Sequence, residues 1–491
     1  MQHTLKLAAR SAAIALAGLV AFSIPASGRA NPRDDVPAGG LDQRFGYAGI
    51  ASTPLSPVTA DRFLAVTVGE DGQTYAAGFV TLGTDQTMAT DQAMAVARIA
   101  PDGSLDKSFD GDGIGIVNVA VDGKTAEIAR GVAVQSTGKV VVGGQMEHDP
   151  TATDAAAMDT DIALSRFGPD GTLDPTFGEG GTARFDLSPG VVLPPTPPAT
   201  APGFRGDTMW GVTTLADDRI VVVAAKLAPG AGRTDRDFAL MLLTEDGDLD
   251  TDFGTGGIVT IDIDGGNESA RQAVVQPDGM IVMAGYSSTK SGVVIPQLIR
   301  VDDSGELDPS FGAGGIASAQ LLPAVAEAYD VAMQGDNFII TGYGRATATE
   351  EVDLIAARFK ANGAWDRSFG NDGLVRIDIA GEADRGRDLV VFPDGRVLIA
   401  GSGKPSAADI NGMIVMLNRN GSLDRSFGRD GILMVDLGGL ADSFFGSALT
   451  ADGKKAMVTG YRGSDLASVA PGDDARVVRV RKGRRTRSFS R

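Results

Sequence analysis

Carboxylates that return at one position of a repeated pattern are the strongest chemical feature of the sequence. Each lies ten or eleven residues before the end of a tight turn, and the set is Asp61, Glu127, Asp207, Glu268, Glu327, Asp384 and Asp442. Carboxylates can bind a cation or a polar ligand, and they can also accept hydrogen bonds from backbone amides. We take these seven residues as the candidate ligand-binding set. Hydrogen bonding to loop amides, repeat after repeat, is the interpretation we favour, because regular repetition is what a structural role requires, and a metal or ligand site is the alternative.

A second series of acidic residues precedes the third strand of the repeats. Its members are Asp91, Asp161, Asp237, Asp353, Asp409 and Asp474. Three arginines, Arg130, Arg271 and Arg387, follow members of the first series closely in the chain. We expect these arginines to be charge partners of the carboxylates.

Aspartate-rich loops raise the question of calcium. They contain Asp110 and Asp112 in one repeat, and Asp246, Asp248 and Asp250 in another. An EF-hand needs a later glutamate and a following helix, and neither pattern is found here. We therefore read these aspartates as turn residues and expect no cofactor, with calcium as the alternative. The sequence leaves the presence of a metal site undetermined.

Residues for nucleophilic catalysis are scarce. The chain has no cysteine and two histidines, of which only His148 lies beyond the N-terminal segment. A cysteine nucleophile and a multi-histidine metal site are excluded, and a Ser-His-Asp triad would have to use His148. A single loop histidine is usually solvated, so we predict no catalytic residues.

A repeated motif, Leu-Asp-x-x-Phe-Gly, indicates the elements that must position these side chains. Its phenylalanines recur at intervals of 58 to 76 residues: Phe45, Phe109, Phe177, Phe253, Phe311, Phe369, Phe427 and a degenerate copy at Phe489. Between copies, alternating strand patterns occur at 257–263, 272–276, 280–286 and 293–301, with a tight turn at 277–279. Four short strands per repeat are typical of a propeller blade.

Seven such hairpins are present, and they predict an all-β fold: a seven-bladed β-propeller of four-stranded blades. The chain starts with a fourth strand near Ile50 and ends with a third strand at 475–481. The N-terminal strand would therefore complete the last blade and close the ring. Closure of this kind removes two exposed sheet edges.

The motif at 170–181, Asp-Gly-Thr-Leu-Asp-Pro-Thr-Phe-Gly-Glu-Gly-Gly, and its copies resemble the delta-60 repeat family of exported bacterial β-propeller proteins. The resemblance covers nearly all of residues 39–491. The sequence departs from the family pattern at Asp110, at Trp365 and near Phe489. The resemblance implies the propeller fold and no established activity.

Three further segments complete the predicted organisation. Residues 1–30 have the charged start, apolar run and small-residue end of a signal peptide, and 31–38 form a linker to a single domain at 39–491. Prolines make 188–203 a stiff extended insertion rather than a strand. The basic segment 476–491 should contain a strand because Val477, Val478 and Val480 favour one.

Composition indicates the surroundings and the partners. The signal peptide predicts a secreted, periplasmic or cell-surface protein with no transmembrane segment, which we expect to be a monomer. The net charge of −19 argues against nucleic acid as a partner.

Two functions are compatible with these observations. The first is an exported non-catalytic binding or scaffold module for a protein, glycan or surface polymer. The alternative is a carboxylate- or calcium-dependent hydrolase or lyase that acts in the central channel. The scarcity of histidine and cysteine favours the first function. We expect a protein or polysaccharide partner on the face with variable loops, which also holds the seven carboxylates, His148 and Trp210.

Overall fold

β-Branched and aromatic residues alternate with glycine-containing turns along the chain, and this composition favours strands. The computed structural model describes residues 39–55, 60–82, 91–119, 127–148, 159–193, 203–230, 232–464 and 473–483. Every helix or strand assigned within these ranges is a β-strand. The described residues include no helix long and apolar enough to cross a membrane. The predicted signal peptide and linker lie outside the described residues.

Most strands form antiparallel sheets of four, in chain order. The chain starts with β1 (Gly40–Leu41) and β2 (Ile50–Ser52). Two sheets follow: β3 (Asp61–Val68), β4 (Thr74–Leu82), β5 (Asp91–Ile99) and β6 (Ile114–Val117), then β7 (Ile128–Val134), β8 (Val140–Glu147), β9 (Thr160–Phe167) and β10 (Thr182–Phe185). After a short pair, β11 (Val191–Leu193) and β12 (Gly203–Arg205), the next sheet contains β13 (Thr208–Thr214), β14 (Ile220–Leu227), β15 (Arg236–Leu243) and β16 (Ile258–Ile261).

The following two sets of four are joined into one sheet by a single parallel pair, Val294 with Val325. Their strands are β17 (Asn267–Val275), β18 (Ile281–Ser288), β19 (Val294–Val301) and β20 (Ile316–Ser318), then β21 (Val325–Gln334), β22 (Asn337–Arg345), β23 (Asp353–Phe359) and β24 (Leu374–Ile377). A further sheet contains β25 (Arg385–Val391), β26 (Val397–Ser406), β27 (Asp409–Leu417) and β28 (Ile432–Val435). Such four-stranded antiparallel sheets fit a β-propeller.

The last sheet combines strands from distant parts of the chain. It contains β29 (Ser443–Leu449), β30 (Lys455–Arg462) and β31 (Asp474–Arg481), and both β1 and β2 pair antiparallel with β31. Ala51, for example, lies opposite Val477. The predicted strand within the basic segment is therefore confirmed as β31. Within the described residues no hydrogen-bonded sheet closes on itself.

The insertion between β10 and β13 differs in part from the prediction. Residues 194–202 lie outside the described residues, but Val191–Leu193 and Gly203–Arg205 pair as antiparallel strands. The ends of the insertion are strands because they lie close enough for their backbones to exchange hydrogen bonds.

The motif phenylalanine packs between neighbouring sheets, as predicted. Phe311 is fully buried against Val282 and Leu298 of one set of four strands and Phe338 and Phe359 of the next set. The glycine that follows has a positive φ of 56°, and a Cβ there would lie 2.2 Å from the carbonyl oxygen of Ile316. Only glycine fits this position without a change in the backbone.

The motif aspartate binds an arginine at each sheet junction. In one junction, Arg300 donates from Nε to Asp308 at 2.7 Å, lies over the Phe311 ring at 4.5 Å, and donates to the Ala361 carbonyl of the next repeat at 3.0 Å. Asp308 also accepts the Ser310 amide at 2.9 Å. We call this arrangement of arginine, aspartate and phenylalanine the junction unit.

The junction unit recurs with all three components at four further junctions. The equivalent ion pairs are Arg98–Asp106, Arg166–Asp174, Arg358–Asp366 and Arg479–Asp42. In the two remaining copies the arginine comes from a hairpin, and the pairs are Arg219–Asp250 and Arg396–Asp424. The prediction that the motif aspartate is a structural turn residue is therefore confirmed.

Asp308→Ala should lower the free energy of unfolding by about 1–2 kcal/mol, because the Ser310 amide and Arg300 both lose their acceptor. Denaturant unfolding measures the change. Asp303→Ala is the matched control, since Asp303 is exposed, and it should change stability by less than about 0.5 kcal/mol. Equal effects of the two substitutions would remove the structural role.

Candidate functional site

The predicted carboxylates lie where the first strand of each sheet begins, and most bind backbone amides. Asp61 accepts the Leu55 amide at 2.8 Å and the Ala475 amide at 2.6 Å. Other members of the set that accept backbone amides are Glu127, Asp207, Asp384 and Asp442. All five of these side chains are fully buried. Their main visible role is to fix the incoming loop to the first strand.

Two members of the set differ from the rest. Glu268 has neither carboxylate oxygen hydrogen bonded, and Glu327 leaves one oxygen, Oε2, without a partner. None of the seven carboxylates lines the main cavity, so their assignment as ligand-binding residues stays a prediction.

The main cavity is lined by the first strands of the successive sheets: β3, β7, β13, β17, β21, β25 and β29. Its volume is about 450 Å³, within the range of small-molecule sites. The lining runs from the middle of these strands to hairpin-turn residues such as Glu70 and Ser136. The cavity therefore extends toward the turn side, whereas the predicted carboxylates lie at the opposite ends of the strands.

A β-bulge in each first strand positions the most distinctive side chains of the site. The strand registers shift around the same residue of every copy: Leu64, Arg130, Trp210, Arg271, Tyr329, Arg387 and Phe445. A bulge places one extra residue in a strand and re-aims its side chain. All seven of these residues line the cavity, and we call them the bulge residues.

Arginine and aromatic side chains alternate among the bulge residues. The Arg271 guanidinium lies 3.9 Å from the Trp210 ring centre and 4.1 Å from that of Tyr329. Arg130 lies 4.2 Å from the Trp210 ring, and Arg387 lies 4.8 Å from Tyr329 and 5.0 Å from Phe445. These cation–π contacts hold the guanidinium planes against aromatic faces.

The three bulge arginines carry positive charge that no carboxylate neutralises. Among the described residues, none of the three forms an ion pair, and the Nε atom of each is buried without a hydrogen-bond partner. Arg271 donates only to the hydroxyls of Tyr286 and Tyr329, at 2.9 and 3.1 Å. Burial, together with the nearby charge of Arg271, lowers the pKa of Arg130 to about 10. Uncompensated buried guanidinium groups are suited to bind an anion.

The expectation that these arginines pair with the predicted carboxylates is therefore wrong. The bulge turns each arginine toward the cavity, while the carboxylates three residues before Arg130 and Arg387 bind loop amides. One signal in the sequence could have identified them. In five of the seven repeats the position three residues after the carboxylate holds arginine or an aromatic residue: Arg130, Trp210, Arg271, Arg387 and Phe445.

Tyrosines form a second polar group at the site. The hydroxyls of Tyr329 and Tyr343 lie 3.0 Å apart. Burial raises the pKa of Tyr343 well above its usual value, with further contributions from Tyr329 and from Glu327, which is hydrogen bonded to it. Tyr343 therefore stays protonated at neutral pH and can donate a proton or a hydrogen bond.

Two carboxyls, Asp330 and Asp388, line the cavity next to the bulge residues. Asp330 accepts the Leu389 amide at 2.7 Å, and Asp388 accepts the Ser447 hydroxyl. Burial raises the pKa of both groups, and the negative charge of Asp330 adds to the rise at Asp388. Interacting carboxyls in such a place can share one proton, leaving one acid and one base.

The aspartate-rich loops and His148 have structural partners. Asp246 pairs with Arg166 at 2.8 Å, and Asp250 pairs with Arg219. His148 Nδ1 lies 2.9 Å from Asp161, and this hydrogen bond raises the pKa of His148. His148 does not line the main cavity, whereas Trp210 does.

Comparisons with known proteins bear on the fold. The family profile described as "Domain of unknown function (DUF5122) beta-propeller" matches residues 70–109, 135–177, 276–311 and 393–427. No curated protein matches the chain. A structure of a protein of unknown function from Dyadobacter fermentans is similar, with a TM-score of 0.44, 10% identity, and coverage of 91% of this chain and 100% of that one.

Two other similar structures are of enzymes. The sialidase of Trypanosoma rangeli has a TM-score of 0.40 and 11% identity, and the match covers 91% of this chain and 58% of the sialidase. A PL25 ulvan lyase has a TM-score of 0.40 and 11% identity, with coverage of 72% and 78%. The prediction of a non-catalytic binding or scaffold module is contradicted by these comparisons, because the similar structures include sialidases and a polysaccharide lyase.

The free energy of unfolding should fall as pH rises from about 5 to about 8, because the Asp330–Asp388 pair holds extra protons in the folded state. Their pKa values are raised above the ordinary 3.8, so the stability that these protons supply is lost on deprotonation. As pH rises across this range, the free energy of unfolding of Asp388→Asn should increase relative to that of wild type by on the order of 1 kcal/mol.

Urea unfolding at both pH values measures this difference, with Asp303→Asn as the exposed control. If the stability of Asp388→Asn changes with pH as much as that of Asp303→Asn, the shared-proton interpretation is contradicted.

Two observations agree on the architecture. The described strands form four-stranded sheets, and each segment matched by the family profile contains a hairpin turn or a motif phenylalanine. The delta-60 repeat name stays a prediction, and the comparisons support a β-propeller family for this chain.

Proposed function

We propose that the protein is a hydrolase or lyase that cleaves an acidic carbohydrate in the main cavity. The observation that carries this proposal is the set of three bulge arginines without carboxylate partners. Guanidinium groups bind carboxylate or sulfate oxygens through paired hydrogen bonds, and the gain is large where water is excluded. The anionic group of the sugar would supply the missing charge.

Aromatic bulge residues support a sugar as the ligand. Trp210, Tyr329 and Phe445 alternate with the arginines, so the wall offers apolar faces between cationic groups. Sugar rings have apolar C–H faces and polar edges, and they suit such a wall. A volume of about 450 Å³ accommodates a short stretch of a polymer rather than a whole chain.

The remaining polar groups support bond cleavage. For hydrolysis, one carboxyl of the Asp330–Asp388 pair would protonate the leaving oxygen while the other assists the attacking water. For elimination, the arginines would neutralise the sugar carboxylate and so acidify the neighbouring C–H. The ionised carboxyl of the Asp330–Asp388 pair would take that proton, and Tyr329, hydrogen bonded to Tyr343 at 3.0 Å, would protonate the leaving glycosidic oxygen as the C–O bond breaks and a C=C bond forms.

We also propose that the sheets form seven blades in a ring closed by β1 and β2. Two observations support this closure. β1 and β2 pair with β31, and Arg479, which is bound to Asp42, donates from Nη1 to the Pro101 carbonyl at 2.5 Å. A ring would explain why one cavity is lined by seven first strands. We retain the proposal that residues 1–30 direct export, which would place the enzyme where extracellular polysaccharide is available.

Deleting residues 39–55 should lower the melting temperature and promote association. The deletion removes the partners of β31 and leaves its edge exposed, and it removes Asp42 from Arg479 and Lys455. Differential scanning calorimetry and light scattering measure the two effects. A truncated protein that melts like the full chain and stays monomeric would exclude this closure.

Arg130→Gln should reduce kcat/KM on an acidic polysaccharide by roughly tenfold to a hundredfold, the effect of losing one charged hydrogen bond. The assay compares uronate-containing, sialylated and sulfated glycans with neutral ones, and ultraviolet absorbance of unsaturated products separates a lyase from a hydrolase. The fold should tolerate the change, because Arg130 has a cation–π contact but no ion pair and is repelled by Arg271.

The matched control is Arg425→Gln, which removes one charge from an exposed position outside the cavity. Its activity should equal that of wild type. Cleavage of neutral glycans at the same rate, or equal activities of the two variants on acidic glycans, would exclude the arginine site as the basis of the activity.

A further inference from the structure

One buried carboxylate outside the main cavity has no explained role. Glu268, near the start of β17, is fully buried, and neither of its oxygens has a hydrogen-bond partner. The corresponding residue of a sister sheet is Asp384, which accepts the Ile379 amide and, at 3.0 Å, the Lys404 amide. An unpaired buried carboxylate is costly, so the contrast between these two positions needs a cause.

The loop before β17 has the same internal hydrogen bonds as the sister loop, in which the Gly381 amide donates to Asp378 at 2.7 Å and the Glu382 amide donates to the Ile379 carbonyl at 3.3 Å. The Gly265 amide donates to Asp262 at 2.8 Å, and the Gly266 amide donates to the Ile263 carbonyl at 3.1 Å. In the sister sheet the Ile379 amide is available to Asp384, whereas Glu268 receives nothing from Ile263. The two loops are alike but the side chain differs: the longer Glu268 is left without the amide bonds that hold Asp384, and its carboxylate is open to another partner.

Two aspartates provide the surroundings of that partner. Asp237, near the start of β15, is buried, and Asp262 follows β16. Each of these residues and Glu268 brings a carboxylate oxygen within 4.8 Å of the others. Burial and the charges of Asp237 and Asp262 raise the pKa of Glu268 to about 8, which reflects the crowding of negative groups.

An arginine of the chain forms ion pairs with this cluster but does not contact Glu268. Arg233 contacts Asp262 at 2.8 Å and Asp237 at 3.4 Å, and it also pairs with Asp235. Four carboxylates thus face a single guanidinium group. Glu268 is the member that Arg233 leaves without a contact.

We propose that Asp237, Asp262 and Glu268 bind a divalent cation, with calcium as the ion that this chemistry fits. Hard divalent cations prefer carboxylate oxygens, and calcium accepts the irregular, protein-rich coordination that a loop between strands offers. Magnesium demands a stricter octahedral geometry and keeps more of its water. None of the three residues lines the main cavity, so the cation would fix the loop between β16 and β17 rather than contact the sugar.

The test is a calcium titration of the full chain by isothermal calorimetry, after removal of metals with a chelator, together with melting curves with and without calcium. Wild type should bind calcium and melt at a higher temperature in its presence, because an ion that binds only the folded state stabilises it. Glu268→Gln should weaken calcium binding by about tenfold or more, since even indirect ligand changes have effects of that size.

A readout without calcium separates a metal ligand from a merely structural group. In chelator, Glu268→Gln should melt at or above wild type, because a neutral amide relieves the crowding of carboxylates. The matched control, Asp384→Asn, should melt below wild type and retain the full response to calcium. Asp262→Asn, at an exposed position, provides a second variant that should lose the response.

Several results would overturn the proposal. The first is that wild type neither binds calcium nor gains stability from it. The second is that Glu268→Gln binds calcium as wild type does. The third is that Asp384→Asn alone loses calcium binding. The last result would place the ion in the sister sheet instead.

Discussion

An arginine held between an aspartate and a phenylalanine ring joins neighbouring sheets at five of the seven junctions, and the remaining structure depends on this contact. The guanidinium satisfies the motif carboxylate, covers the buried phenylalanine, and reaches a backbone carbonyl of the next repeat, as Arg300 does with Asp308, Phe311 and Ala361. A largely buried charge is tolerated because each of its partners is present. The same three contacts therefore fix both the distance and the angle between sheets, and errors do not accumulate along the chain.

This rigid frame allows strain and repulsion to be concentrated at the centre. Every first strand carries a bulge at the same level, and three of the seven bulge residues are arginines whose charges oppose one another. Isolated strands would relax such a bulge, but each is held by its hairpin partner and by the sheets on both sides. Stability at the junctions thus supports a cavity wall in which three arginines are held without ion-pair partners among the described residues.

Much of the architecture followed from the sequence because period, turns and strand alternation are local properties. The repeat at Phe45 to Phe427, the hairpins and the strand near Val477 are all found in the structure. The position of the carboxylates at the strand starts was also predictable, but the difference between Glu268 and Asp384 was not, because it depends on how a glutamate and an aspartate reach the amides of two similar loops. The bulge arginines were assigned the wrong partners. Side chains alternate between the two faces of a strand, and the extra residue of a bulge shifts that alternation, so the face on which each arginine lies was inferred wrongly. The non-catalytic function was inferred from missing histidine and cysteine, and that inference took no account of arginine, tyrosine and aspartate.

The pairing of β1 and β2 with β31 has a consequence for how the protein folds. Asp42 and Arg479 are separated by 437 positions, yet they meet in one ion pair. Ordering a chain segment of that length before any local contact compensates is slow and entropically costly. The intervening sheets can form from neighbours in sequence as they are synthesised, but the last sheet must wait for β31 to leave the ribosome. Until then the N-terminal strands have no partner, and the nascent chain exposes an unpaired strand edge to chaperones and to other copies of itself.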